Sequence, residues 1–188
     1  IWTMFTEKQK EMYDELKEKL IIEIKSGKNK KIDDASPILK RILRLEQITS
    51  NPKILNEDID FISGKEIELN SLVKEIINRE EKVIIWTNYI YNVDYFCKKY
   101  EKYNAVKISG SMTTEERNES VRKFKTKDVK VLIATPQSAK EGLTLTVANN
   151  AIFYDRGFSL DDYLQAQDRI HRISQTKECN IYNIMIRG

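Results

Sequence analysis

After Gly64 the chain falls into five short apolar runs accompanied by longer stretches of helical spacing, and no other feature narrows the fold as much. The runs are Val83–Trp86, Ala105–Ile108, Val131–Ala134, Ala151–Tyr154 and Ile181–Ile186. Most lack strict polar alternation, the mark of strands covered on both faces. Helical stretches are expected at about 66–79, 90–102, 114–126 and 160–173. Thr113 with Glu116 predicts a capping box for the third, and Ser159 with Asp162 a weaker one for the fourth. Strand–helix alternation implies an α/β fold with a parallel sheet flanked by helices. Ligands of such sheets sit at the carboxyl ends of the strands, so residues that follow the apolar runs are the first candidates for a site.

The first fifty residues read differently. Met12, Leu16, Leu20 and Ile24 recur at helical spacing, with Thr6 as the expected N-cap. Ser26–Ser36 reads as a loop, and a second helix is expected from about Pro37 to Ile48, stopped by Asn51-Pro52. Residues 53–64 read as irregular. The expected organisation is a helical linker or protrusion over 1–64 and an α/β lobe over 65–188.

Composition permits this and removes some alternatives. With 188 residues, 40% hydrophobic and 32% charged, the chain can bury a core and is not of the disordered class. The net charge of +3 is too small to argue for nucleic-acid binding, so any such contact must come from a local surface. Cys97 and Cys179 have no CxxC or Cys/His neighbour, which predicts packed thiols in a reducing compartment rather than a zinc site. No apolar run approaches the ~20 residues that cross a bilayer, and no signal peptide is visible, so no membrane partner is expected. Ile1 is not an initiator methionine, which suggests a piece excised from a longer chain.

The densest chemistry lies in Gln165-Ala166-Gln167-Asp168-Arg169-Ile170-His171-Arg172-Ile173-Ser174-Gln175. On a helix Arg169 and Arg172 share a face, with Gln165 one turn earlier and Ile170 and Ile173 turned inward. Two guanidiniums on one rigid face suit a polyphosphate, because each planar fork meets phosphate oxygens in two places and keeps its charge. The plainer alternative is a surface helix whose arginines pair with Asp161, Asp162 or Asp168. His171 lies between the arginines, off their face; with no triad partner apparent, a packing or hydrogen-bonding role is expected.

This string resembles motif VI of the Snf2 family of superfamily 2 ATPases, QAxDRxHRIGQ, with Ser174 where Gly is usual. The resemblance implies a RecA-like second lobe whose Arg169 and Arg172 reach across a cleft to ATP held by the other lobe. Thr135–Thr146, TPQSAKEGLTLT, is similar to motif V, with Gly142, Leu143, Leu145 and Thr146 matching. It departs at Pro136, Ala139 and Lys140, and at Thr144, where Asn is usual. The resemblance implies a nucleotide-facing set of Gln165, Glu141, Gly142 and Thr144. It implies a DNA-backbone set of Thr87, Ser109, Gly110, Ser111, Thr135 and Ser138. Lys82–Asn88 resembles motif IV, and Ser109–Arg117 the family's DGS…R segment, although an ordinary βα loop reads the same way. Asp155 follows a strand, as the family's Asp does. Phe5–Tyr13 resembles the family's entry helix and Arg44–Pro52 its LRQICNHP stretch.

The chain has no GxxxxGK[ST] P-loop and no DExH or DExD box. The resemblance therefore implies that ATP and Mg²⁺ are held mainly by an N-terminal RecA-like lobe of the same protein, and that this piece alone is inactive. Its implied partners are that lobe and double-stranded DNA, in a DNA-dependent ATPase or translocase. Two alternatives stay open: an unwinding superfamily 2 helicase, and a degenerate docking module. A cytoplasmic location is expected, and the Lys/Ile/Asn-rich composition suggests a bacterial or phage source.

Overall fold

The computed structural model describes residues 1–26, 36–139, 144–157, 159–173 and 175–188. The Ser26–Ser36 loop falls largely outside these residues. Contacts divide the chain into two compact units, one of Leu69–Met185 with Ile1, the other of Trp2–Glu68 with Ile186–Gly188.

The larger unit is built on a five-stranded parallel sheet. Its strands are β2 (Val83–Trp86), β3 (Val106–Ile108), β4 (Val131–Ala134), β5 (Asn150–Phe153) and β6 (Asn180–Asn183), in the order β3-β4-β2-β5-β6. Every pairing is parallel, with Val83 opposite Val131 on one side and Asn150 on the other. Helix α3 (Gly64–Asn78) enters the unit; α4 (Ile90–Lys99), α5 (Thr114–Lys125) and α6 (Leu160–Gln167) make the later connections.

The apolar runs explain the layering. Along β2 successive side chains point to opposite faces. Ile84 and Trp86 join Phe124, Phe153, Ala166 and Ile170 on the face covered by α5 and α6. Val83 and Ile85 join Leu69, Val73, Ile76, Val93 and Phe96 on the face covered by α3 and α4. All four β2 side chains are fully buried, which is why the run carries no polar alternation. Burial of each such side chain contributes about 1.5–3 kcal/mol.

The capping box of α5 is present in both halves: Glu116 N–H donates to Thr113 Oγ1 at 3.2 Å, and Thr113 N–H to Glu116 Oε2 at 2.8 Å. Ser159 Oγ likewise accepts from Asp162 N–H. At the base of the sheet, Lys82 Nζ donates to the carbonyls of Phe124, Thr126 and Val129, which closes the end of α5 onto β2.

The smaller unit contains α1 (Glu7–Ser26) and α2 (Ser36–Ser50), and α2 stops before Asn51-Pro52 as expected. Two details depart from the sequence expectation. Thr6 does not cap α1 with its hydroxyl, which donates to the Ile62 carbonyl; the capping contact at this end is Thr6 N–H donating to Gln9 Oε1. Gln9 is fully buried because it also accepts from Gly64 N–H and donates to the Ile48 carbonyl. Second, Trp2–Met4 is a strand, β1, paired with β7 (Met185–Arg187). The last apolar run is thereby split between β6 and β7, with Ile184 buried between them. Gly64 passes so close to β1 that an added Cβ would lie 1.8 Å from the Met4 carbonyl oxygen.

Candidate functional site

Helix α6 ends at Gln167, six residues before the expected 173. The carbonyls that would continue it are taken by other donors, two from side chains just downstream and one from the distant Leu145 backbone. Arg172 Nε donates to Asp168 O at 3.2 Å, Leu145 N–H to Arg169 O at 3.2 Å, and Gln175 Nε2 to Ile170 O at 3.2 Å. Arg169 and Arg172 therefore sit on a turn beyond the helix, not on one helical face as expected. Ile170 is fully buried, whereas Ile173 is fully exposed, against the inward Ile173 read from helical spacing; His171 is exposed, which leaves hydrogen bonding and not packing of the two roles expected for it.

The turn still brings the two arginines together. Arg169 is 8% exposed, and among the described residues its Nε has no hydrogen-bond partner. Burial, and then the nearby Arg172 charge, pull its pKa below the ordinary guanidinium value, with Asp168 acting weakly the other way. Arg172 Nη1 donates to Thr144 Oγ1 at 2.8 Å. Among the described residues neither arginine forms an ion pair, so the pairs with Asp161, Asp162 or Asp168 that the plainer alternative expects are not formed. These groups are all donors with positive charge, so they fit phosphate oxygens and not a metal ion. Gln165 is exposed on α6. Glu141 and Gly142 of the expected nucleotide-facing set lie outside the described residues, as do Lys140, Leu143, Phe158 and Ser174.

Gln175, the last residue of the string, has a role that spacing does not reveal. Its Nε2 lies 3.0 Å from each of the Thr146 and Ala148 carbonyls, and its Oε1 accepts from Lys177 N–H. Residues 144–148 are thus laced to Arg169, Arg172 and Gln175.

A second group gathers at the carboxyl ends of β2, β3 and β4. Thr135 Oγ1 donates to Ser138 Oγ at 3.0 Å, and Ser138 Oγ lies 3.1 Å from the Ile108 carbonyl and 2.7 Å from that of Thr135. Ser109 and Ser111 share a hydroxyl–hydroxyl bond of 2.9 Å. These bonds stitch the strand ends, so Ser109, Thr135 and Ser138 are largely buried, whereas Gly110 and Ser111 are exposed. Gly110, Thr135 and Ser138 border a cleft of about 370 Å³ that Asn88, Arg117 and Gln137 help to line. Arg117 is the arginine of the DGS…R segment, whereas Asn88 and Gln137 lie inside the quoted motifs with no role assigned to them.

Thr87 differs from the rest of its set. It is fully buried; its hydroxyl donates to Asp155 Oδ2 at 2.7 Å and accepts from Asn92 Nδ2 at 3.2 Å, so its side chain offers a DNA backbone no exposed atom. Asp155 also accepts from Asn88 N–H at 2.6 Å, which locks the ends of β2 and β5 together. Beyond Asp155, Arg156 stacks 3.7 Å over the Tyr163 ring beside a smaller hollow of about 110 Å³.

A parallel sheet flanked by helices, with paired arginines beyond the last helix and a polar cleft at the strand ends, defines a RecA-like lobe. The chain belongs to the helicase conserved C-terminal domain family, which it matches over residues 68–174. Its homologues are Snf2-family ATP-dependent helicases. It is 33% identical over 137 residues to the ATP-dependent helicase FUN30 of Saccharomyces cerevisiae, covering 71% of this chain and 12% of that protein. It is 30% identical over 192 residues to the uncharacterized ATP-dependent helicase MG018 of Mycoplasma genitalium, covering all of this chain and 18% of that one. The chain thus spans less than a fifth of either relative. The Sulfolobus solfataricus SWI2/SNF2 ATPase core in complex with dsDNA superimposes with a TM-score of 0.85 at 26% identity, over all of this chain and 40% of that one. No described helix is long and apolar enough to cross a membrane.

Proposed function

We propose that this lobe, residues 65–188, is the second motor half of a DNA-dependent ATPase of the translocating type, with residues 1–64 as its helical protrusion. The observation that carries the reading is the pair of neighbouring guanidiniums, Arg169 and Arg172, which form no ion pair with a carboxylate among the described residues. Arg169 is buried and Arg172 half-buried beside it, and such a positive pair is costly unless something anionic meets it. ATP held by an N-terminal lobe supplies that anion when the lobes close. Arg169 and Arg172 then bind the terminal phosphoryl group and offset the charge that develops on it, which in related reactions is worth ~10³–10⁵ in rate. By the motif resemblance Gln165, Glu141 and Gly142 are assigned to the nucleotide as well, while Thr144 holds Arg172 from behind. ATP with Mg²⁺ supplies the transferable phosphoryl group; the metal's carboxylate ligands belong to the other lobe, so this piece alone turns over no ATP.

DNA lies along the cleft at the strand ends. Gly110, Ser111, Asn88 and Gln137 offer exposed donors and close backbone approach, while Ser109, Thr135 and Ser138 hold their geometry. Such contacts take a phosphate backbone without reading sequence. Thr87 serves as a prop behind them. The reading places the protein in the cytoplasm with duplex DNA as its track.

The test is ATP turnover by the full-length protein with and without duplex DNA, beside its Arg172→Ala variant. Stimulation by DNA, lost in the variant, supports the motor reading. An inactive parent, or a variant equal to it, leaves a docking module as the better account.

A further inference from the structure

We propose that Thr144 is a positioning residue for Arg172, acting on ATP turnover through that guanidinium without itself touching the nucleotide. The inference rests on the reading of Arg172 as a phosphate-binding arginine. Arg172 is held at two points, Nη1 to Thr144 Oγ1 at 2.8 Å and Nε to the Asp168 carbonyl at 3.2 Å. Both anchors are neutral oxygens. A carboxylate there would cancel the charge; a hydroxyl and a carbonyl fix the orientation and leave the charge available. A guanidinium has five N–H donors, so the two bonds leave both Nη2 hydrogens and one on Nη1 for a ligand.

Without such anchors a long arginine side chain samples many rotamers and must be ordered each time the cleft closes. Thr144 can act as an anchor because it is itself held. Its β-branched side chain is stiff about χ1. The next residue, Leu145, donates its N–H to the Arg169 carbonyl, and Gln175 ties down the Thr146 and Ala148 carbonyls. The same block that carries Arg172 therefore also carries the oxygen that aims it. Thr144 is exposed, so losing its hydroxyl opens no core.

The experiment is steady-state ATP turnover of the full-length protein at saturating duplex DNA, comparing Thr144→Val, Thr144→Ser, Arg172→Ala and the Thr144→Val/Arg172→Ala double variant. We expect Thr144→Val to lower kcat about tenfold, the scale of one charge-assisted hydrogen bond, with KM for ATP little changed. Thr144→Ser, which keeps the acceptor oxygen, restores turnover, and Thr144→Val adds nothing once Arg172 is gone. A raised KM with kcat intact would show that Thr144 contacts the nucleotide and overturn the inference. So would a silent Thr144→Val, a Thr144→Ser as slow as Thr144→Val, or an additive double variant. If Arg172→Ala itself leaves kcat unchanged, the phosphate-binding reading has failed; if Arg172→Ala is inactive and Thr144→Val is silent, only the role of Thr144 has.

Discussion

Two regions of this lobe treat partly buried positive charge in opposite ways. At the base of the sheet, Lys82 gives its donors to three carbonyls, those of Phe124, Thr126 and Val129, and its ammonium lies 5.2 Å over the Phe124 ring. Beside it Glu81 is met by Asn149 Nδ2, Asn150 Nδ2 and Arg79. In the turn beyond α6, Arg169 keeps an unpartnered Nε, and Arg172 spends two donors on neutral oxygens. The first region is saturated, as buried polar groups are where only stability is asked of them. The second holds its cations in place and leaves them unsatisfied. On the function proposed above, that contrast, more than the identity of the residues, separates a structural cation from one kept for a ligand.

The largest effect that would sharpen the comparison is on the unsatisfied side. Replacing Arg169 with Lys keeps the charge but loses the planar fork, and should lower kcat of the full-length protein by about 10²-fold or more. Thermal melting of the same variant should change little; a normal kcat would mean the fork is not used. On the saturated side, Lys82→Met strands three carbonyls and should cost about 2–3 kcal/mol in denaturant unfolding, while turnover per folded molecule stays normal. Loss of turnover without loss of stability would break the division between the regions.

Smaller effects follow. Gly64→Ala sets a Cβ against the Met4 carbonyl and should destabilise the smaller unit by about 1–3 kcal/mol, read as a lowered melting temperature. The last prediction concerns pH. Burial acts to raise the Glu81 carboxyl, but hydrogen bonds from Asn150, Asn149 and Arg79 outweigh it and hold the carboxyl below the ordinary glutamate value. A carboxyl depressed in the folded state stabilises above its unfolded pKa, and that stability is lost as pH falls through the folded value. Acid unfolding of Glu81→Gln should therefore show a shallower loss of stability than the parent below the ordinary carboxylate range. Identical acid profiles would show that Glu81 contributes nothing to this end of the sheet.

Part of the site was legible because its signals are local. The capping box of α5 needs only a Thr and a Glu three residues apart, and both bonds are present. The apolar runs at 83–86, 131–134 and 151–154 could be read as doubly covered strands from their lack of alternation, and β2, β4 and β5 are buried throughout. Helical spacing misled at the end of α6, because it counts residues and cannot see that Leu145 and Gln175 claim the carbonyls of Arg169 and Ile170. Thr87 misled for the same reason: a hydroxyl after a strand looks available until an aspartate 68 residues away takes it. Strand β1 carries three residues and no period, and exists because β7 comes back to pair with it.

By itself, then, the sequence determined the α/β class, the caps of α5 and α6, the segment holding both arginines, and the family. These depend on contacts within a few residues or on strings that survive as strings. Only the tertiary structure decided that Arg172 rests on Thr144, that Gln175 laces two motifs together, and that Thr87 faces inward. Each joins residues 28 or more positions apart. Such a bond forms when the chain packs and brings a donor to an acceptor, and no periodicity along the chain encodes which acceptor it will find.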